Sequence, residues 1–426
     1  MASFSFGAGN AAKLLRIPLY LAGRLLTLVT PRTRDRWVFG CGGGIGDGAL
    51  ALWEVAAEEH VDAVWLVDGE RDAEDARARG IPTVAKHSPA GLWCTARARV
   101  VVITHGFGDV NRYAVSGAFV VQLWHGIPLK RIGVDSPETL RPPGMLRGTP
   151  LEGPARWLLG VLYRGAMRRI DVLPAASHLV RGRLQSAFSL RDAAVPVTGE
   201  PRVDVLSAGE ADARRETARE LIAAATGAPL DEGVRVILYA PTWRDGDEDP
   251  AIPDRGAARR IAALLEEQDA VLLVRSHPLG AGAYDIPSAR VRLIGSDRLR
   301  DITPALSRVD VLVTDYSSLA YDASLVPMPV VYLAPDVAEY ARQRGFYGRY
   351  EDVAGDDWAR DWPAAVDQLR TVLTDLGERE RRLQRARTLD ACVHAYSDGG
   401  STRRVFDVIR RRIAAPTRES GHGRHP

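Results

Sequence analysis

The chain has 426 residues, of which 46% are hydrophobic and 26% charged, and its formal net charge is +2. This composition is that of an ordinary globular protein with room for two or three domains. Beyond the N-terminal segment, basic residues are interspersed with acidic ones, which argues against nucleic-acid binding. The three cysteines, Cys41, Cys94 and Cys392, share no metal-ligand spacing. We therefore expect free thiols rather than a disulfide framework or a zinc site.

The N-terminal segment is cationic, because no acidic residue precedes Asp35. Its residues 13–29 predict an apolar helix with one polar stripe at spacings of three and four, made of Lys13, Arg16, Tyr20, Arg24 and Thr27. Such a helix suits an anionic membrane surface, and its charges leave it well short of the roughly 20 apolar residues needed to span a bilayer. Two alternatives are a signal peptide, which Arg24 disfavours, and a helix packed on the protein's own core.

The rest of the chain alternates short apolar runs with helix-like stretches, which predicts an α/β fold with parallel sheets. A first series of strands is predicted at 37–40, 63–67, 99–104 and 119–123, and a second at 234–240, 270–275, 291–294, 309–314 and 330–333. Two Rossmann-like domains with a cleft between them follow. The predicted division is an N-terminal arm (1–36), two domains (37–205 and 206–396), a C-terminal helix (397–413) and a disordered tail (414–426).

Several strands end in residues suited to phosphate chemistry. His125-Gly126 follows the run ending at Trp124, with Lys130 close behind, and Arg244 and His277 follow two strands of the second series. Ser317 and Ser318 precede a helix predicted at about 319–325, whose N-terminus would favour an anion. Ligands of open α/β sheets bind beyond the carboxyl ends of strands. Each residue alone also fits a structural role, but together they indicate one interdomain site.

Five sequence blocks, in this order, resemble the CDP-glycerol glycerophosphotransferase family of teichoic-acid synthesis. They are Trp124-His125-Gly126-Ile127-Pro128-Leu129-Lys130, Gly199-Glu200-Pro201-Arg202-Val203-Asp204, Tyr239-Ala240-Pro241-Thr242-Trp243-Arg244-Asp245, Arg275-Ser276-His277-Pro278 and Thr314-Asp315-Tyr316-Ser317-Ser318. The resemblance extends from about residue 37 to 409. It implies a GT-B fold, attachment to the cytoplasmic face of the membrane, and transfer of a polyol phosphate from a CDP-activated donor to a lipid-linked saccharide or polymer acceptor.

The resemblance also assigns roles to individual residues. His125 becomes the candidate base for the acceptor hydroxyl, and His277 would bind or protonate the pyrophosphate. Arg244, Ser317, Ser318 and Asp315 would hold the CDP phosphates, with Lys130, Gly126 and Asp322 in support. Asp315 and Asp322 could equally be structural. The region around Asp47 matches the family only loosely, so it receives no role.

Several questions stay open at this point. The sequence does not distinguish glycerol from ribitol or another polyol, a primase from a polymerase, or one oligomeric state from another. No compact carboxylate pair predicts a tightly bound metal or cofactor, and a requirement for a divalent ion stays undecided. A sugar-nucleotide glycosyltransferase would share the fold but not the ordered blocks. A non-catalytic nucleotide-binding or membrane scaffold would not need histidines on both domains.

Overall fold

The structure, a computed structural model, describes residues 17–242, 249–275, 284 and 286–414. These residues form two parallel sheets flanked by helices, which confirms the predicted α/β fold with two Rossmann-like halves. The strands of both sheets are nearly continuous apolar runs because helices cover both faces of each sheet. Arg244 and His277 lie outside the described residues.

The first sheet has the strand order β3-β2-β1-β4-β5-β6. Its strands are β1 (Trp37–Phe39), β2 (Ala63–Val67), β3 (Thr83–Ala85), β4 (Val100–Ile103), β5 (Phe119–Gln122) and β6 (Ile170–Val172). Strand β1 lies centrally and pairs with β2 and β4. Strands β3 and β6, which lie at the two edges of this sheet, are absent from the sequence prediction.

The helices of the first half alternate with its strands in sequence, and the first of them precedes β1. They are α1 (Ile17–Val29), α2 (Asp47–Glu58), α3 (Glu70–Ala78), α4 (Pro89–Arg97), α5 (Glu152–Met167) and α6 (His178–Phe188). A 3₁₀ turn, Pro201–Leu206, then leads towards the second half.

The second sheet has the order β11-β10-β7-β8-β9. Its strands are β7 (Arg235–Ala240), β8 (Ala270–Val274), β9 (Val291–Leu293), β10 (Val311–Thr314) and β11 (Val330–Tyr332). The helices from here on are α7 (Ala211–Thr226), α8 (Arg255–Glu267), α9 (Leu319–Ser324), α10 (Val337–Gln343), α11 (Glu351–Ala354), α12 (Trp362–Thr374), α13 (Leu376–Val393) and α14 (Ser401–Ala414).

The C-terminal helix α14 returns to the first half of the molecule. Its Val405, Phe406 and Ile409 are buried in the core that contains β1. Asp204 fixes the start of this helix, because its carboxylate accepts the backbone N–H groups of Ser401 (3.0 Å) and Thr402 (2.6 Å). The segment between the two halves is thereby tied to the end of the chain.

Two further contacts join the halves beside the cleft. The segment after β5 pairs with the segment after α10 through an antiparallel bridge between Lys130 and Phe346. At a second place the Arg300 guanidinium forms ion pairs with Asp72 (2.5 Å) and Asp75 (3.0 Å) of α3. The two sheets are therefore held in a defined relation around the cleft.

Helix α1 packs on the first half by one narrow side and exposes its leucines. Gly23 is buried against the backbone of Tyr113, and the Tyr20 ring meets that of Tyr113 edge-on at 5.0 Å. Leu25 is 64% exposed and Leu28 73% exposed. The apolar face of α1 is thus not used by the protein's own core.

None of the helices among the described residues is both long and apolar enough to cross a membrane.

Candidate active site

The cleft lies where the strand order reverses in both sheets. In the first sheet the reversal falls between β1 and β4, and in the second between β7 and β10. Ligands of open α/β sheets bind at such switch points, beyond the carboxyl ends of the strands. The candidate site residues are therefore those that follow β1, β4, β5, β7 and β10.

His125 stands just beyond β5 on a backbone that is fixed by unusual torsions. Trp124 has a positive φ of 64° and Gly126 a φ of 139°, a region that glycine enters without strain. The His125 ring stacks on that of His105 with centroids 4.3 Å apart and planes 3° apart. Burial, the facing His105 and the positive charge of Arg202 lower the pKa of His125 well below its usual value. At neutral pH the imidazole is thus a neutral proton acceptor.

The main-chain contact of His125 identifies which ring nitrogen can accept a proton. Nδ1 lies 3.5 Å from the carbonyl oxygen of Thr104. A carbonyl oxygen only accepts hydrogen bonds, so this contact favours the tautomer with the proton on Nδ1. Nε2 is then the basic nitrogen of the ring.

Gly126 brings the first half against the helix start of the second. A Cβ atom built at Gly126 would lie 2.8 Å from the hydroxyl oxygen of Ser318 and 3.3 Å from its Cβ. A side chain at position 126 would therefore push the two halves apart. The structure thus brings the predicted residues His125, Gly126 and Ser318 together.

Ser317 and Ser318 line a cavity of about 190 Å³ that also contacts Arg202, Pro241 and Arg275. The Ser317 hydroxyl accepts the backbone N–H of Leu319 at 3.2 Å, so Ser317 rather than Ser318 satisfies a donor at the start of α9. Helix α9 has six residues, one fewer than predicted. Its dipole is correspondingly short, so an anion here would rely on hydroxyl and backbone donors.

Asp315 holds the loop after β7 in place. Its Oδ1 accepts the backbone N–H of Thr242 at 2.8 Å and that of Tyr316 at 2.6 Å. The side chain is 3% exposed. These contacts support the structural alternative for Asp315 over direct contact with a phosphate.

Asp322 belongs to a buried charge cluster centred on Arg202. The Arg202 guanidinium reaches Asp322 at 2.6 Å from Nη1, Asp47 at 3.3 Å from Nε, and the Thr303 hydroxyl at 3.2 Å from Nη2. Burial alone would lower the pKa of Arg202, but Asp322 and Asp47 raise it well above its usual value. One arginine thus links the loop after β1, the interdomain turn and helix α9.

Glu200 is buried beside this cluster, and no hydrogen bond from the described residues replaces the water lost by its carboxyl group. It is 1% exposed, and neither of its carboxyl oxygens has a hydrogen-bond partner among the described residues. Burial raises the pKa of Glu200 to about 8 even though Arg202 favours the ionised form. Glu200 is therefore largely protonated at neutral pH and does not add a third negative charge beside the two aspartates that face Arg202.

Lys130 lies on the strand-like segment that pairs with Phe346 and is half-buried. Its positive charge contributes to the lowered pKa of His125. Of the other predicted site residues, Arg244 and His277 fall in the parts of the chain that the structure does not describe.

Sequence reasoning gave no role to His105 or Arg202. The sequence did contain a signal for His105, because the adjacent strands β4 and β5 are each followed closely by a His-Gly pair, His105-Gly106 and His125-Gly126. Arg202 lay in one of the five blocks, yet nothing in sequence indicated that Asp47 and Asp322 would converge on it. That convergence depends on how the two halves pack.

Across the described ranges, no three His, Cys, Asp or Glu side chains are grouped so as to hold a metal ion.

Comparison with known proteins identifies relatives along nearly the whole chain. A family model described as CDP-Glycerol:Poly(glycerophosphate) glycerophosphotransferase matches residues 29–411. The teichoic acid glycerol-phosphate transferase of Staphylococcus aureus (strain NCTC 8325 / PS 47) is 27% identical over 84% of this chain and 89% of that protein.

Other matches cover only part of larger proteins or show the fold alone. The teichoic acid poly(glycerol phosphate) polymerase of Bacillus subtilis (strain 168) is 26% identical over 76% of this chain, but the match spans 41% of the polymerase. A solved structure of the wall teichoic acid polymerase TagF has a TM-score of 0.72 and 21% identity, covering 95% of this chain and 97% of that one.

Proposed function

This chain belongs to the CDP-glycerol:poly(glycerophosphate) glycerophosphotransferase family, and from that premise we propose the reaction that its cleft performs. The protein transfers glycerol phosphate from CDP-glycerol to a hydroxyl of a lipid-linked acceptor in the synthesis of teichoic acid or a related polymer, and CMP leaves. The observation that carries this proposal is the approach of Gly126, the neighbour of His125 on one half, to Ser318 on the other. A base and a phosphate pocket then face each other across one cleft.

His125 acts as the base in this reaction. Its lowered pKa keeps the ring neutral at physiological pH, and Nδ1 faces the Thr104 carbonyl, so Nε2 accepts the proton of the acceptor hydroxyl. The hydroxyl oxygen forms a bond to the phosphorus that carries glycerol. The bond from that phosphorus to the bridging oxygen breaks, and the bridging oxygen leaves on CMP.

The donor phosphates occupy the cavity beside Ser317 and Ser318 in this proposal. Hydroxyl and backbone donors there would hold phosphate oxygens, and the family resemblance adds Arg244 and His277 as the residues that neutralise the departing CMP. Arg202, which lines this cavity, pairs with Asp47 and Asp322 and donates a hydrogen bond to the Thr303 hydroxyl, while its Nε has no hydrogen-bond partner among the described residues. It therefore shapes the floor of the cavity rather than binding phosphate itself.

Donor competition tests this function directly. The chain is incubated with labelled CDP-glycerol, CDP-ribitol or a UDP-sugar, each with a lipid-linked acceptor analogue. CMP release together with transfer of labelled glycerol phosphate is the expected result. UDP release with sugar transfer would instead establish a glycosyltransferase and overturn the proposal.

We also propose that the enzyme lies on the anionic inner face of the cell membrane through α1 and α5. Alongside the exposed leucines of α1, helix α5 presents Trp157, which is 67% exposed, and Leu158, which is 46% exposed. The C-terminal end of α5 lies within electrostatic range of α1, since burial and the positive charge of Arg24 lower the pKa of Arg169, just after α5. Apolar side chains bordered by arginines suit a lipid surface that carries negative charge.

Vesicle binding tests the membrane proposal. Leu25→Gln combined with Trp157→Gln should abolish co-sedimentation with phosphatidylglycerol vesicles, whereas Leu376→Gln, at an even more exposed leucine on the second half, should bind as the unmodified chain does. Equal binding of all three proteins would refute the docking surface.

A further inference from the structure

His105 and His125 form a fixed pair at the ends of two neighbouring strands. Strands β4 and β5 run parallel with Ile103 opposite Gln122, so each strand delivers its histidine to the same edge of the sheet. The rings lie face to face, 4.3 Å apart and within 3° of parallel. The Trp124 ring adds a second aromatic contact to His125, with centroids 4.1 Å apart.

Contacts from several sides hold the His105 ring in this position. Its backbone N–H donates to Asp109 Oδ2 at 2.7 Å, and the same oxygen accepts the N–H of Thr104 at 2.9 Å. Nδ1 of His105 lies 2.8 Å from the Thr104 hydroxyl. A Cβ built at Gly42 would come within 2.8 Å of the ring, so the loop after β1 closes against it. His105 is therefore a rigid platform under His125.

We propose that His105 is a positioning residue for the base His125, which it holds in one ring plane and in the neutral state. The inference rests on the proposed function, because it is His125 acting as base that gives the pairing its purpose. The two rings share no hydrogen bond, so His105 acts through stacking and through charge rather than by receiving the proton. Two imidazolium rings at this separation would repel each other strongly, so protonation of one opposes protonation of the other.

Other charged groups around the pair do not remove this coupling. The titratable groups around the two rings are Asp47 at the start of α2, Asp109 from the turn after β4, Lys130 from the loop after β5, Arg202 from the interdomain turn, and Cys41 from the loop after β1, whose sulfur accepts the Thr104 hydroxyl. Lys130 and Arg202 disfavour protonation of His125, as His105 does. Asp47 and Asp109 interact electrostatically with His105.

Replacements at His105 separate its two effects. His105→Phe keeps a stacking ring but cannot be charged, so the acidic limb of the pH profile of kcat/KM should rise by about one pH unit. His105→Ala removes the stack, so kcat should fall about 10- to 100-fold while KM for CDP-glycerol changes little. His87→Phe, an exposed histidine remote from the cleft, should alter neither quantity.

The effect of His105 on His125 can be measured without substrate, so the test of the pairing is independent of the test of the proposed function. The imidazole of His125, labelled with ¹³C and ¹⁵N and followed by NMR through pH 4–9, should titrate at a higher pH in His105→Phe than in the unmodified protein. An unchanged titration and an unchanged pH profile would overturn the inference even if glycerol phosphate transfer is established. A shifted titration in a chain without transferase activity would overturn the proposed function but retain the pairing.

Discussion

Glu200 makes the stability of this protein depend on pH in a direction opposite to that of most carboxylates. Its pKa in the folded chain is raised from 4.5 to about 8 by burial. Between these values the unfolded chain has lost the proton that the folded chain retains, so folding becomes less favourable as pH rises. The contribution is fully present below pH 4.5 and is lost as the pH passes through 8.

The magnitude follows from the displacement of the pKa. At about 1.4 kcal/mol for each pKa unit, a rise from 4.5 to about 8 costs the folded chain roughly 5 kcal/mol once Glu200 is ionised. Glu200→Gln keeps the shape of the side chain but does not titrate. Relative to its value at pH 4.5, the free energy of unfolding of Glu200→Gln should therefore gain about 3 kcal/mol on the unmodified chain by pH 7 and about 4 kcal/mol by pH 9.

Urea unfolding followed by tryptophan fluorescence measures this difference at pH 4.5, 7 and 9. Other titrating groups cancel when the two proteins are compared at the same pH. Glu220→Gln, on the exposed side of α7, serves as the matched control and should show a constant difference. If Glu200→Gln also keeps a constant difference across this range, Glu200 is not protonated in the folded chain and the reasoning is wrong.

Three other substitutions test the contacts around the cleft. Arg202→Met leaves Asp47 and Asp322 buried without their partner, so it should lower the free energy of unfolding in urea by about 3–5 kcal/mol. Adding Asp322→Asn to this variant should recover part of that loss. Gly126→Ala strains a backbone with φ of 139° and crowds Ser318, so transfer should fall at least tenfold and the free energy of unfolding by about 1–3 kcal/mol. The control Gly165→Ala, in α5, has open space around the added methyl group and should leave transfer intact. Equal activities of the two variants would contradict the close approach of Gly126 to Ser318. Asp204→Ala removes the carboxylate at the start of α14 and should cost about 1–2 kcal/mol in thermal unfolding without changing transfer per folded molecule.

The fold was predictable because its strands are buried on both faces. Runs such as that of β4, Val100–Ile103, are continuously apolar and alternate with amphipathic stretches, which is typical of a doubly wound sheet. The pairing order was not predictable from these runs, since it depends on long-range packing. Strands β3 and β6, the edge strands of the first sheet, were missed although equally short strands such as β1 were predicted.

The candidate site was predictable where its side chains are neighbours in sequence. His125-Gly126 and Ser317-Ser318 stood out as strand-end pairs, and the structure brings them to one cleft. The Arg202 cluster was not visible, because its partners Asp47 and Asp322 come from opposite halves of the chain. Burial, which raises the pKa of Glu200, likewise appears only once the halves are packed.

The transfer assay with His125→Ala tests the central claim most directly. Labelled CDP-glycerol and a lipid-linked acceptor analogue are supplied to the unmodified chain, to His125→Ala and to His87→Ala, whose exposed histidine is remote from the cleft. We expect His125→Ala to bind CDP-glycerol and unfold like the unmodified chain, yet to transfer glycerol phosphate about 10²- to 10⁴-fold more slowly, as loss of a general base implies. Near-normal transfer by His125→Ala would contradict the claim that this cleft performs the reaction through His125.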